Sequence, residues 1–457
     1  MKTKILFVIT QFFKGGAEVA LLNLLHALSS EEYDIDFLIF DQIELKSAVS
    51  LIPQLPNWVN VCNAAENEGE LAYFKKAVSK VYLRITKKQL YRKTAYKFVK
   101  DKEYDFAFSY GEWMSPQFVA TKVKAKNKAV WIHTDIDKAQ FVDEKILFGW
   151  DDKFQSYIFV SELSMKSAIL KYPFLKERSY VIHNMCDDNN IRNRAKDKMD
   201  FEISEEMPIL LTVANIRNEK NHLRQIEAMN ILKKQGIRFK WLNVGCVADP
   251  ILKHKVEFLI HQYGLEKDFL LLGADENPYK YMIRADAVCV LSDFESWSIV
   301  ITEAKLLGIP VIATKTSGAI EQISNNETGI LCDFSIDDIV KQIKKFIINN
   351  SVSEHIRNNL IGFNTQKDTM KQFKDFILQG RSAQTQQKKK LLYIIDNVNY
   401  ISGVQKVTAY QIEQLHDNYD ISIFSLEKPN EQAKDIFKNT KFISIENCEN
   451  LEILNLP

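Results

Sequence analysis

The chain has 457 residues, 46% of them hydrophobic, which is enough for two to three domains with cores of ordinary size. Lys plus Arg number 60 against 59 Asp plus Glu, and a net charge of +1 excludes a global attraction to nucleic acid, so any basic surface is local. The six cysteines, Cys62, Cys186, Cys246, Cys289, Cys332 and Cys448, form no CxxC pair; this argues against a disulfide framework or a zinc site and points to a reducing, cytoplasmic compartment.

The opening MKTKILFVITQFFKGG carries a lysine and a short apolar run, as a signal peptide does, yet it lacks a small-residue cleavage site and runs into a Gly-Gly turn. It reads as a buried first strand, residues 4–10, followed by a helix over 17–28 and a second strand over 33–40. No apolar stretch approaches the roughly 18 residues that a membrane-spanning helix needs. Residues 71–100 hold ten Lys or Arg and no acid, interleaved with Tyr, Phe, Leu and Val. Such a segment attracts anionic lipid head groups and seats its aromatics at the interface, the alternative being a solvated basic face. No recognition motif for RNA accompanies it.

Strands are expected next at 104–110, 129–135, 157–162 and 179–184. After a polar stretch at 187–208, read as a linker, they resume at 209–215, 239–245, 269–273, 287–292 and 310–314. Strands alternating with helical runs mean parallel sheets covered on both faces, with ligands beyond the carboxyl ends of the strands. Residues 381–390, RSAQTQQKKK, read as a second, flexible linker. Beyond it KLLYIIDNVNYISGVQKVTAYQIEQL echoes KILFVITQFFKGGAEVALLNLLHAL, and YDISIFSL echoes YDIDFLIF. This reads as the start of another copy of the first domain.

One stretch concentrates the chemistry. SDFESWSIVITEAKLLGIPVIAT sets Glu295 and Glu303 eight positions apart with nothing ionisable between them. A solvated helix face would spread charge more evenly, and carboxylates in apolar surroundings need a partner, so the pair points to a site that receives hydroxyls or a cation.

With GGAE (15–18), VSELSMKSAI (160–169), VIHNMCD (181–187) and VANIRNEKNH (213–222), this stretch resembles the GT-B glycosyltransferases of family 4, retaining enzymes that use nucleotide-sugars. The resemblance covers about residues 1–380 and is densest over 209–332. It implies an α/β fold of two doubly wound Rossmann-like domains facing a cleft. Residues 1–190 would be the acceptor side and 191–380 the nucleotide-sugar side, with 381–390 a linker and 391–457 a partial repeat of the first domain. The implied activity moves a sugar, from a nucleotide donor such as a UDP-sugar, to a hydroxyl of a glycan or lipid-linked glycan in cell-surface polysaccharide synthesis. The implied location is cytoplasmic, peripheral on an anionic membrane through 71–100. Alternatives are a non-catalytic subunit that stabilises a partner, and a GT-B epimerase or phosphorylase.

The resemblance also assigns residues. Glu303 would accept the ribose hydroxyls, Glu295 would lie near the transferred sugar, and Lys220 would bind the diphosphate. Where the family keeps an arginine this chain has Asn215, with Arg217 two residues on as a substitute or a plain surface residue. Amides at Ser298, Ile299 and Val300 would face the diphosphate, with Gly273, at the end of FLLLG, beside the donor. The family has Phe-Gly where this chain has Trp297-Ser298, a larger side chain able to reshape the sugar pocket. Gly15 and Gly16 would let the backbone approach the donor phosphates or the acceptor, and Glu18 would serve the acceptor side. His133, ending AVWIHTD at the cleft edge, would lie near the sugar hydroxyls, unless it is a structural histidine. Asp135 and Asp137 have the spacing of a metal-binding pair, but without the matching fold no metal or other cofactor is expected.

Overall fold

Apolar runs in which nearly every residue is buried form parallel strands covered on both faces, and such runs build this molecule. The computed structural model describes residues 2–43, 49–66, 71–139, 142–199, 207–386, 389–416, 419–438 and 440–444. The chain divides into two units, Met1–Phe376 and Ile377–Pro457.

The first unit contains two parallel sheets. One comprises β1 (Thr3–Ile9), β2 (Tyr33–Ile39), β3 (Asn60–Asn63), β4 (Glu103–Tyr110), β5 (Lys124–Ile132), β6 (Ser156–Phe159) and β7 (Ser179–Val181), in the order β3-β2-β1-β4-β5-β6-β7. In β1 only Lys4 is exposed, and Ile5 sits in register between Ile35 and Phe106. The other sheet comprises β8 (Ile209–Val213), β9 (Lys240–Val244), β10 (Phe269–Gly273), β11 (Ala287–Val290), β12 (Val311–Thr314) and β13 (Ile330–Cys332), in the order β10-β9-β8-β11-β12-β13. Both orders reverse at one point, between β1 and β4 and between β8 and β11. A doubly wound sheet opens its ligand crevice at that point. Leu210, Trp241 and Ile312 are fully buried in the core of the second sheet, as are Val8, Val130 and Phe159 in that of the first.

Two expectations about connections need correction. The stretch 187–208 is not a loop throughout: Asp188–Arg194 is a helix, its Asp187 cap accepting from the Asn190 N–H, with Ile191 and Ala195 in the core beside the second sheet. Arg192 ties it down by donating to the carbonyls of Leu306 (3.3 Å) and Phe363 (2.7 Å). Residues 200–206 of that stretch lie outside the described residues. Likewise, RSAQTQQKKK follows the last glycine of its helix with Ser, Ala, Gln and Thr and no breaker. The helix Gln366–Gln386 therefore runs on to 386, and β14 begins at Lys389.

That helix also changes the domain assignment of 366–376. Phe373 is fully buried against Phe108 and Tyr33, and Phe376 packs on Phe106 and Tyr180, so the chain returns to the first sheet after building the second. The chain thus passes between the domains twice, near 182–187 and near 363–366. Across the junction the Glu321 carboxylate accepts from the Glu162 N–H (2.9 Å) at the start of the helix Glu162–Lys171, and Ser317 Oγ donates to Asp135 (3.1 Å).

The second unit is a parallel sheet, β14 (Lys389–Ile395), β15 (Tyr419–Ser425) and β16 (Thr440–Ser444), in the order β14-β15-β16. Its order of strand, helix, strand is that of β1, the helix Gly16–Ala27 and β2. The helix Gly403–Leu415 starts with a capping box between Ser402 and Gln405. Residues 445–457 of the expected repeat, Cys448 among them, lie outside the described residues.

Candidate active site

Both reversal points deliver side chains to one cleft. From the second sheet, the loop after β8 carries Asn215, Arg217 and Lys220. Asn215 Oδ1 accepts from the Cys246 N–H (3.0 Å) and so pins the loop after β9. Arg217 is 56% exposed, 4.0 Å from Glu219. Lys220 ends a short turn, Asn218–Lys220, after which Asn221 adopts φ +55 and starts the next helix. Its Nζ forms an ion pair with Glu295, which follows β11 and also accepts from Ser292 Oγ (2.9 Å). Two of the expected site residues therefore meet each other directly.

Eight residues after Glu295, Glu303 lies on the helix Ile299–Leu306, buried, and its Oε1 accepts from the Tyr279 hydroxyl (2.8 Å). Burial raises its pKa to about 7, opposed by that hydrogen bond and by Lys14 and Arg194. Ser298 caps the helix in extended conformation, and its N–H already donates to Gln322 Oε1 (2.9 Å), so this amide is not free for a diphosphate as expected. Ile299 and Val300 are the first two helical residues, whose N–H groups have no acceptor within the helix by its own geometry. Gly273 ends the edge strand β10 at φ +78, its carbonyl accepting from Gly245 (2.8 Å); the loop it opens brings Tyr279, not Gly273 itself, to Glu303. Trp297 stacks flat on His183 (3.8 Å, 13°) and lines a cavity of about 220 Å³ with Lys305 and Phe363. The small space around Lys220 and Glu295 is lined by Ser298 and Val300 instead.

The first sheet supplies the opposite face. Gly15 is extended, and a Cβ there would fall 2.4 Å from the Glu18 carboxyl, so a side chain at 15 would push that carboxyl aside. Gly16 opens the helix; a Cβ on it would stand 3.8 Å from Ile299. Burial lifts Glu18 to about 7, with Arg217 pulling the other way. His133 follows β5, its ring close to Tyr110 (4.5 Å) and Trp113 (5.8 Å), and its backbone N–H donates to Glu112 Oε2 (2.8 Å). Neither ring nitrogen reaches solvent or bonds in good geometry, although the Asn184 side chain acts on the ring, and burial holds the pKa at about 3. The imidazole is therefore neutral. Glu112, buried after β4, is pushed up to about 7 by burial, with Glu18 adding to the rise.

Glu112, Trp113, Lys14 and Tyr279 were not among the expected residues. For Glu112 a signal existed, since it lies in the loop just after a strand at a reversal point, as Glu295 does. Trp113 is 41% exposed and its ring lies over Gly111, whose φ of +100 and missing side chain make room for it. Asp135 accepts from Ser317 and pairs with Lys138 (3.3 Å), and Asp137 pairs with Lys171 (3.6 Å). Among the described residues no group of three or more His, Cys, Asp or Glu has the geometry to hold a metal ion.

Residues 193–362 match the family model described as glycosyl transferases group 1. The chain is 28% identical over 174 residues to the N-acetylgalactosamine-N,N'-diacetylbacillosaminyl-diphospho-undecaprenol 4-alpha-N-acetylgalactosaminyltransferase of Campylobacter jejuni, covering 38% of this chain and 45% of that one. It is 25% identical over 378 residues to the GalNAc-alpha-(1->4)-GalNAc-alpha-(1->3)-diNAcBac-PP-undecaprenol alpha-1,4-N-acetyl-D-galactosaminyltransferase of the same organism, covering 81% and 94%. It thus spans about half the length of the first relative and nearly all of the second. Among solved structures, Anabaena HepE in complex with UDP and glucose superposes with a TM-score of 0.60 at 20% identity, over 84% of this chain and 99% of that one. The shared arrangement is the GT-B fold.

Proposed function

We propose, from the premise that this chain has the GT-B fold and that its residues 193–362 belong to the glycosyl transferases group 1, that it transfers a sugar with retention from a nucleotide-sugar to a glycan hydroxyl. The observation that carries this reading is the convergence of Lys220, the first-turn amides of Ile299 and Val300, and buried Glu303 at the carboxyl ends of β8 and β11. A nucleoside diphosphate fits that set: Glu303 takes the ribose hydroxyls, while the helix start and Lys220 take the phosphates. In the reaction the bond from the anomeric carbon to the diphosphate oxygen breaks and the acceptor oxygen bonds to that carbon on the same face. The hydroxyl proton passes to the departing phosphate. Glu295, held by Lys220 and Ser292, orients the sugar, and most of the acceleration comes from proximity and from charge placed where the leaving group develops its own.

The acceptor we propose is a lipid-linked glycan of a cell-surface polysaccharide. The names of both Campylobacter relatives specify undecaprenol-linked chemistry. No described helix is long and apolar enough to cross a membrane. The helix Leu71–Thr86 nonetheless exposes Phe74 (68%), Val78, Val81 and Ile85 (74%), one face at helical spacing, beside Lys75, Lys76, Lys80 and Arg84. An apolar stripe flanked by cations suits an anionic bilayer surface. Three cations of the stretch already have acidic partners among the described residues, Arg92 with Asp41, Lys87 with Asp143 and Lys100 with Asp101. Phe74→Ser with Ile85→Ser should reduce co-sedimentation with anionic vesicles several-fold. Equal binding to neutral and anionic vesicles, unchanged by salt, would remove the membrane from the proposal.

The donor is tested by thermal shift with UDP, GDP and ADP, since a ligand that binds only the native state raises its apparent stability. One nucleotide class should stabilise the parent and fail to stabilise Glu303→Ala. If no nucleotide shifts the parent, the reading gives way to a non-catalytic subunit.

A further inference from the structure

The donor site as drawn lacks a cation. Asn215 stands where the resemblance puts an arginine, and its side chain is committed to Cys246. Arg217 is exposed, with Glu219 and Glu18 as its acidic neighbours. Lys220 is left, and Glu295 offsets its charge. Two phosphate groups would meet less positive charge on this face than they carry.

The opposite face and the helix Asp188–Arg194 together have what is missing. Lys14, immediately before Gly15 and Gly16, reaches across the cleft and donates from Nζ to the carbonyls of Glu276 (3.0 Å) and Asp275 (3.4 Å). Arg194 donates to the same Glu276 carbonyl (2.8 Å). A carbonyl holds a cation without cancelling its charge; two positive charges thus arrive together where Glu303 and Tyr279 meet, and both act on the Glu303 carboxyl, while the Glu303, Glu276 and Asp275 carboxylates act on Lys14 in turn, Asp275 being already paired with Lys280. The neighbouring Gly16 already lies against Ile299, at the start of the helix whose amides would take the phosphates.

We infer that Lys14 is a donor-binding residue, the cation that the first domain contributes to the diphosphate, with Arg194 reinforcing it. The inference rests on the nucleotide-sugar reading above and adds a specific consequence. Because Lys14 belongs to one domain and Lys220 to the other, the diphosphate becomes a bridge between them. The bond is to phosphate, so a nucleoside without phosphates should not register its loss.

The experiment is calorimetry with UDP on the parent, Lys14→Met and Lys14→Arg at low and high NaCl, with uridine affinity read by displacement of UDP. Lys14→Met should lose about tenfold in UDP affinity, about 1.4 kcal/mol, while uridine binds as to the parent. Lys14→Arg should retain most of the UDP affinity, and added salt should narrow the gap between parent and Lys14→Met. Equal UDP binding by parent and Lys14→Met overturns the inference and leaves the donor site standing. A loss of the same factor for uridine and UDP also overturns it, reducing Lys14 to a strap on the 275–276 carbonyls. A parent that binds no nucleotide removes the donor site itself, and the inference with it.

Discussion

The two faces of the cleft are built on the same plan, a doubly wound sheet opening at its reversal point, yet they hold charge in opposite ways. The second-domain face presents an ion pair, Lys220 with Glu295, beside a helix start. The first-domain face encloses its ionisable groups in aromatic surroundings: Glu18 and Glu112 are both lifted to about 7, and His133 is held neutral beside Tyr110, Trp113 and Trp131. Desolvation has the upper hand around Glu18, Glu112 and His133, as it does at Glu303, and pairing around Lys220. Cations and amides are suited to an anion, and the nearly neutral carboxyls and indoles around His133 to a polyol.

Lys14 aside, the contrast breaks if a substitution in the Glu112 and Trp113 cluster disturbs nucleotide binding, or one at Lys220 disturbs the acceptor. The largest effect is expected for Lys220→Ala, which removes a charge-assisted bond and leaves Glu295 unpaired near the phosphates. UDP affinity should fall on the order of 100-fold, about 2.7 kcal/mol, by calorimetry, while the acceptor KM stays put. The next is a stability effect. Glu112 has a folded-state pKa near 7, above its ordinary 4.5, so its contribution is fully present below 4.5 and lost as pH rises through 7. Glu112→Gln keeps an oxygen for the His133 N–H but cannot ionise. Its Tm should fall less than the parent's between pH 5 and pH 8, a gap of about 2.5 kcal/mol in stability; parallel curves would show that Glu112 is not desolvated as described. The smallest effect is expected for Trp113→Ala, which takes an exposed ring from the first-domain face. Acceptor KM should rise several-fold with UDP affinity unchanged, and a drop in UDP affinity instead would mean that the faces are not separate.

Much of this architecture is legible in the residues, for a physical reason. Strands buried on both faces are continuous apolar runs, so β1, β2, β4, β8 and β11 announce themselves, and with them the strand ends that carry Gly15, Lys220 and Glu295. β3 and β13 are only four and three residues long and leave no pattern. What pairs across strand ends is not written locally. The Ser298 amide is taken by Gln322, and Glu303 finds its hydroxyl on Tyr279, each 24 positions away. The polar stretches at 187–208 and 381–390 misled because polarity marks exposure, not the absence of a helix. A one-turn anchor such as Ile191 is enough to dock 188–194.

The double passage of the chain between the domains, near 182–187 and again at 363–366, has a mechanical meaning. A body joined to another at one point can pivot in any direction, whereas one joined at two is left with rotation about the line between the joints. Phe373 and Phe376 root the second joint in the first sheet, so that line is fixed to the scaffold. Any opening of the cleft is then a single coordinate, the swing of a door on two hinges, and the rims that part along it are those carrying Lys14 and the 275–276 carbonyls.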